Sequence, residues 1–418
     1  MGQSQREGTR QPLEPQPEDA AQPPGGGRLA FGDPRFQTDP WPLYAWYREH
    51  DPVHWSAESG SFFVFGAANV RRVLVSRDFQ AFHPFRVSRR AFGPSMLDED
   101  GERHRRWRAG AADPFRPRTV AGYGEAVLGP IVTAATARLL SSDRDGAITT
   151  FAREVPMRVI CALMGLPEDD AGQLRALMDP LVDYVDFAPV ELSTVVARRE
   201  QLRAYFRDAI ENRRGDARGV LHILHASDGY TEQDVVNNSL LLLAAGTATT
   251  TAAILNLFAR LAEDPDLLDA VRADPGLVPA VVAETLRHEP PLHWTLRFAV
   301  RDVELDSVAI AQGAPVHVCI GGAGRDPALY ADPDRWDVLR EQKAPLLFGA
   351  GEHLCLGMGL ARLELETVLS AAARQIGRVA FADTGDGPAG ARGRSFRAVD
   401  GSRLRVEPIG LTAIGGRA

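Results

Sequence analysis

Apolar and polar positions along the 418-residue chain alternate mostly with the period of a helix. The stretch PWPLYAWYREHDPVHW predicts a helix ending near Asp51-Pro52, and SFFVFG followed by NVRRVLVS predicts a short strand and then a helix. From 119 to 213 apolar residues recur at helical spacing, with breaks expected at Gly165-Leu166-Pro167 and near Pro180 and Pro189. Another helix is predicted to start after Thr231, where Asp234 three positions on gives a variant of the capping box. Between 301 and 320, RDVELDSVAIAQGAPVHVCI alternates as paired strands do, around Gln312-Gly313. Neither a repeat nor a linker interrupts the pattern, so the expectation is one large, mainly α domain with small β-sheets, an α+β fold.

One segment departs from amphipathic spacing. Leu240 to Leu255 reads LLLLAAGTATTTAAIL, inside 25 consecutive uncharged residues from 235 to 259. That length could cross a bilayer. Asn237, Asn238, Ser239 and four threonines suit a lipid-facing surface poorly, and no aromatic belt or basic flank accompanies them. The expected role is instead the buried central helix of a large protein without a membrane anchor.

Composition adds limits. A formal net charge of -8 argues against a nucleic-acid partner. Lys343 is the single lysine among 47 basic residues, which makes lysine Schiff-base chemistry a poor expectation. Three cysteines, Cys161, Cys319 and Cys355, form no C-x-x-C pair, so a reducing cytoplasm is expected rather than disulfides or structural zinc. Residues 1–28 are rich in Gln, Pro and Gly, lack an apolar signal core, and read as a disordered tail.

Chemistry concentrates at Phe348 to Arg362, FGAGEHLCLGMGLAR, just before the helical LARLELETVLSAAARQ. Cys355 is expected beside a helix N-terminus, where free N–H groups favour a thiolate that serves as nucleophile or metal ligand. Gly349, Gly351 and Gly357 are expected to let the backbone turn tightly and lie against a planar group. This stretch resembles the cysteine-ligand signature of the cytochrome P450 family, F-G-x-G-x-H-x-C-x-G-x-x-L-A, at every specified position. Six of those positions alone, at about one in twenty each, agree by chance with a frequency on the order of 10⁻⁸ per register. The resemblance implies the cytochrome P450 fold, haem b (iron protoporphyrin IX) ligated by Cys355, dioxygen as co-substrate, Phe348 and Gly349 beside the sulfur, and His353 on a haem propionate.

Other family elements follow in order. Glu284 and Arg287 form E-x-x-R, 71 residues before Cys355, and resemble the family's buried pair, with Arg335 the expected third partner and Arg340 the alternative. His104 and Arg108 in ERHRRWR, and Arg297 in LRFAVRDVEL, match the propionate-binding positions. LLLLAAGTATTT resembles the central helix that crosses the oxygen-binding face. There Ala245 and Gly246 are expected to leave room for dioxygen and Thr249 to bond back to the carbonyl of Ala245. Ala248 stands where the family usually carries an acid, and Thr247 adds a hydroxyl beside it. Either protons arrive through Thr247, water and substrate, with His293 as a further relay candidate, or the enzyme favours coupling, ring closure or desaturation, which demand fewer protons.

The resemblance divides the chain into a tail at 1–28, a haem domain at 29–408 and a C-terminal tail at 409–418. It implies a monomeric cytoplasmic mono-oxygenase fed by a ferredoxin and ferredoxin reductase, since no fused reductase fits, with Arg105, Arg106, Arg116 and Arg118 as the docking face. A peroxide-driven variant and a non-catalytic haem sensor are the other readings. FQAFHPFRVSRRAFGPSM corresponds to the loop over the pocket. Its phenylalanines, Phe85 among them, and Arg86, Arg89 and Arg90 suggest an aromatic or polycyclic secondary-metabolite substrate with an acidic edge. Tyr184, Phe187, His293, Trp294 and Phe396 complete the expected pocket.

Overall fold

The computed structural model describes residues 33–409 except 143, 145, 342–344 and 383–389, together with 23 and 24. Lys343, most of the 1–28 tail and residues 410–418 therefore lie outside the described residues.

The uncharged run is the middle of one 32-residue helix, Glu232–Glu263. Its start is a complete capping box: Asp234 N–H donates to Thr231 Oγ1 at 3.2 Å, and Thr231 N–H to Asp234 Oδ2 at 3.0 Å. The helix is long and apolar enough to cross a membrane, but 72% of its most apolar window is buried inside the protein. Its polar side chains hold neighbours in place. Asn238 Oδ1 accepts Met96 N–H at 2.9 Å, while Asn256 Nδ2 donates to the carbonyls of Glu289 and Arg397. Helix Ala147–Met164 packs along one side and helix Met358–Gln375 along another, within the main apolar core.

Helix Ala171–Val185 runs straight through Pro180, where a break was expected, and Ala147–Met164 runs through Pro156. A mid-helix proline costs about 3 kcal/mol. Leu174, Leu177, Met178 and Leu181 are buried on the first helix, and that packing outweighs the lost bond. The break at Gly165 holds: it has φ +76°, and its Cα region lies against Asp216 and Gly219 too closely for a side chain.

Strands β1 (Val53–Ser56), β2 (Ser61–Val64), β3 (Phe79–Gln80), β4 (Trp294–Ala299) and β7 (Pro315–Cys319) form one sheet in the order β1-β2-β7-β4-β3. The expected hairpin around Gln312-Gly313 is misplaced. β5 (Val303–Leu305) pairs with β6 (Val308–Ile310) across Asp306-Ser307, both at positive φ as a two-residue primed turn requires. β7 then joins the larger sheet, pairing with β4 and β2. Alternation shows strands but not which of two polar gaps turns the chain. β8 (Ile376–Phe381) and β9 (Leu404–Pro408) make a separate pair.

Helix Val278–His288 carries the most buried ion pair. Glu284 and Arg287 are 0% and 1% exposed and meet through two bonds of 2.7 Å. Arg287 also donates to the carbonyls of Gly324, Pro333 and Arg335. The third charged partner is Arg340, whose Nε reaches Glu284 Oε1 at 3.3 Å; Arg335, the expected one, contributes its carbonyl instead. Removing one member of such a pair strands a buried charge. Arg287→Leu should therefore lower the unfolding free energy by about 3–5 kcal/mol, measured as an earlier urea midpoint.

Candidate active site

Between the central helix and the loop 346–357 lies a predominantly apolar cavity of about 340 Å³. On one wall stand Ala245, Gly246, Ala248 and Thr249; on the other, Phe348, Gly349, His353, Cys355 and Gly357. The loop is closed by Cys355 N–H donating to the Phe348 carbonyl at 2.8 Å. Gly349 and Gly351 have φ of +76° and +71°, and a Cβ on Gly351 would sit 2.9 Å from the Leu74 carbonyl oxygen. Gly357 differs from expectation: its φ is an ordinary −87°, and its N–H serves the Cys355 sulfur.

Cys355 opens into the cavity two residues before the N-cap of helix Met358–Gln375. Burial pushes its thiol up, against the opposing pull of the Gly357 N–H and the Arg108 guanidinium. The helix terminus alone therefore does not create the expected thiolate. A coordinated metal would, because it competes directly for the sulfur lone pair.

Cations gather at the cavity edge. Arg297 is 5% exposed, lines the cavity and donates to Thr295 Oγ1 and the Leu296 carbonyl, yet meets no carboxylate within salt-bridge distance among the described residues. Burial, with Arg86 as a like-charged neighbour, lowers it to about 10. Arg108 also faces the cavity and donates to the Leu354 carbonyl. His104 is 1% exposed, its ring lies tilted 4.2 Å from that of His353, and both its ring nitrogens are buried without a partner. Burial first, then His353 and Arg108, pull it down to about 4. His353 Nε2 meets Asp100 Oδ1 at 3.0 Å, which leaves Nδ1. A buried arginine without a carboxylate and orphaned imidazole nitrogens call for an anionic ligand. With a cysteine sulfur facing an apolar slot, they fit a haem and its two propionates.

On the central helix, Thr249 Oγ1 donates to the Ala245 carbonyl at 3.1 Å, as expected. Gly246 has a second reason to be glycine: a Cβ there would sit 3.0 Å from Ile160 Cδ1 on the adjacent helix. Thr247 is a correction. It is buried, off the cavity wall, and bonded to the Leu243 and Ala244 carbonyls at 2.8 and 3.2 Å. One residue on a helix turns a side chain by about 100°, and the step back from Ala248 to Thr247 is enough to carry that hydroxyl off the wall.

The substrate wall was only partly foreseen. Ala245 and Phe396 line the cavity, and so does Phe92. His293 lies outside it, fully buried, with Nδ1 3.0 Å from the Tyr44 hydroxyl and Nε2 3.8 Å from Glu289. Trp294 packs among Phe36, Tyr44, Phe63 and Phe65 on the far face of β4. Phe85 and Phe187 are 68% and 43% exposed and do not line the cavity. Tyr184 packs against the core away from it. The loop arginines also point elsewhere: Arg86 pairs with Asp98, Arg89 with Glu99, and Arg90 lies over the Phe85 ring. The acidic edge inferred for the substrate loses its support.

Glu364 was missed. It lines the cavity at 2% exposure, Oε1 has no hydrogen-bond partner, and burial pushes it up to about 8. The available signal was an acid at helical spacing between Leu360 and Val368, in an otherwise apolar stripe.

The chain belongs to the cytochrome P450 family. A family profile described as cytochrome P450 matches residues 276–374. Cytochrome P450 monooxygenase PikC of Streptomyces venezuelae is 33% identical over 352 residues, 80% of this chain and 83% of that protein. The structure of P450BioI with a hexadec-9Z-enoic acid-ligated acyl carrier protein superposes with TM-score 0.79 at 28% identity, covering 86% of this chain and 96% of that one. CxnD, a cytochrome P450 enzyme for C–S bond formation in chuangxinmycin biosynthesis, gives TM-score 0.75 at 27% identity, covering 90% and 95%. The protein is thus an oxidoreductase of a family that uses haem iron and dioxygen.

The raised Glu364 carboxyl has a pH consequence. Its ordinary value is 4.5 and its folded one about 8, so between these values the folded state holds more protons than the unfolded. Its contribution is complete below pH 4.5 and disappears as pH rises through 8. Unfolding free energies from urea titrations should fall across that window, by at most about 1.4 kcal/mol per pH unit, and the decline should flatten in Glu364→Gln.

Proposed function

We propose that the protein is a haem b mono-oxygenase in which Cys355 ligates the iron and His104, Arg108, Arg297 and His353 hold the propionates. The observation that carries this reading is the facing pair: Cys355 on one wall of an apolar slot and the Ala245–Thr249 turn on the other, with unpaired cations at the rim. Bound haem supplies the iron at which dioxygen is activated. Phe348 and Gly349 shape the sulfur side, with the Gly357 N–H tempering the sulfur's charge. Ala245 and Ala248 keep the opposite wall low. Thr249, whose proton is committed to the Ala245 carbonyl, offers its oxygen lone pairs to a proton donor.

The cavity wall away from the sulfur is supplied by Phe92, Met96, Leu241, Val185 and Phe396. The favoured substrate is therefore a small, largely apolar organic molecule, and a role in secondary metabolism accords with the similarity to CxnD. The same similarity, joined to Ala248, supports a second outcome, bond formation by a substrate radical. Electrons arrive from a ferredoxin and its reductase. The exposed Arg105 and Arg106 lie on helix Gly101–Ala112, which touches the cysteine loop where Arg108 bonds Leu354, so an acidic carrier could dock close to the sulfur. We place the enzyme in the cytoplasm as a monomer.

The reduced carbon monoxide difference spectrum tests the ligation. The wild type should give the thiolate-shifted band, and Cys355→Ala should lose it while keeping its far-ultraviolet circular dichroism. Reduction by an acidic ferredoxin should slow roughly tenfold in Arg105→Glu at low salt, with the difference fading as salt screens it; an unchanged rate would remove this face as the docking site.

A further inference from the structure

We propose that Asn238 is the positioning residue that limits the length of ligand this cavity accepts, by holding the roof residues Phe92 and Met96 to the central helix. The inference rests on the mono-oxygenase reading above and adds to it a determinant of specificity that does not itself line the cavity.

The roof is a built element. Phe92 and Met96 stand on the cavity wall at 4% and 6% exposure. They belong to residues 86–98, which are tied together around Asp98, itself 0% exposed. Ser88 Oγ donates to Asp98 Oδ1 at 2.5 Å and Ser95 Oγ to Oδ2 at 3.0 Å, while the Arg86 guanidinium lies 3.2 Å from Oδ1. Arg86 also donates to the carbonyls of Ala81 and Leu97, at 2.8 and 3.2 Å. A polar network with its members satisfied rigidifies the chain around it. The segment therefore moves as one body, and what has to be fixed is its position over the cavity.

The central helix fixes it. Met96 N–H donates to Asn238 Oδ1 at 2.9 Å, and Asn238 Nδ2 donates to the Asp234 carbonyl at 2.8 Å, which sets the orientation of the amide. Asn238 is 0% exposed, so neither bond is shared with solvent. Among the described residues this is the one hydrogen bond between the central helix and residues 86–98. One residue earlier, the Asn237 side chain presses on Gly93, where a Cβ would come within 2.6 Å of Asn237 Oδ1. Gln233 Nε2 and Arg203 donate to that same oxygen at 2.8 and 3.1 Å, so it cannot swing aside freely. A second tether reaches the roof from outside, Arg199 donating to the Arg90 carbonyl at 2.7 Å.

The place of this anchor along the helix sets a length. From Asn238 to Ala245 the helix rises about 10 Å, and Leu241, Leu242 and Ala244 line the cavity between them. A compact ligand at the oxygen-side turn fits within that span. An elongated one meets Phe92 and Met96 and must lift the roof, breaking the bond to Asn238 and leaving a buried N–H and a buried amide oxygen without partners.

Two measurements on the holoenzyme decide it, with imidazole as the compact probe and ketoconazole as the elongated one, both of which bind iron through an imidazole nitrogen. In spectral titrations, Asn238→Leu should bind ketoconazole roughly tenfold tighter than wild type, with imidazole unchanged. Hydrogen exchange of wild type should show Met96 N–H protected when free or with imidazole, and deprotected with saturating ketoconazole. The same amide should exchange quickly in Asn238→Leu while helix Ala147–Met164 stays protected. A Met96 amide that is unprotected in the free wild type, or stays protected with ketoconazole bound, overturns the inference, and so does an unchanged ratio of the two binding constants in Asn238→Leu. The wild-type exchange results stand even if the variant folds poorly. A wild type without the thiolate band fails the mono-oxygenase reading itself, whereas a normal band with an unchanged ratio fails the role of Asn238 alone.

Discussion

The Glu284–Arg287 pair is the constraint on which the cysteine loop depends. Two charges at 0% and 1% exposure are tolerable only if every donor and acceptor is used. Arg287 accordingly gathers three carbonyls from 324 to 335, and Glu284 takes the Asp337 N–H and the Arg340 guanidinium. A stretch with almost no regular structure is thereby held at several points. The loop 346–357 lies only a few residues further along the chain.

Within that frame the cavity combines two requirements that ordinarily conflict. Its walls are apolar, so a flat hydrophobic ligand enters without stranding polar groups. Its edge holds Arg108, Arg297 and His104, and neither the Arg297 charge nor the His104 ring nitrogens find a partner among the described residues. Protein atoms alone satisfy only the first requirement. Such an arrangement is costly until an anion arrives, and the binding of that anion then carries back the desolvation penalty already spent on folding.

Most of this was legible in the chain because the chemistry is local. The cysteine signature, E-x-x-R and the capped uncharged helix are each contained within a few turns, so the family resemblance could be read from short stretches. What failed was long-range. Arg335 and Arg340 are five residues apart in an irregular segment, and only the path of the backbone decides which one reaches Glu284. His293 and Trp294 sit in sequence among cavity-lining neighbours, Leu292 and Thr295, but the pleat and the turn entering β4 send them toward Tyr44 and Phe36. Prolines 156 and 180 were overruled by packing that local rules do not see. The pocket aromatics at 85 and 187 were judged by loop position, where no periodicity constrains direction.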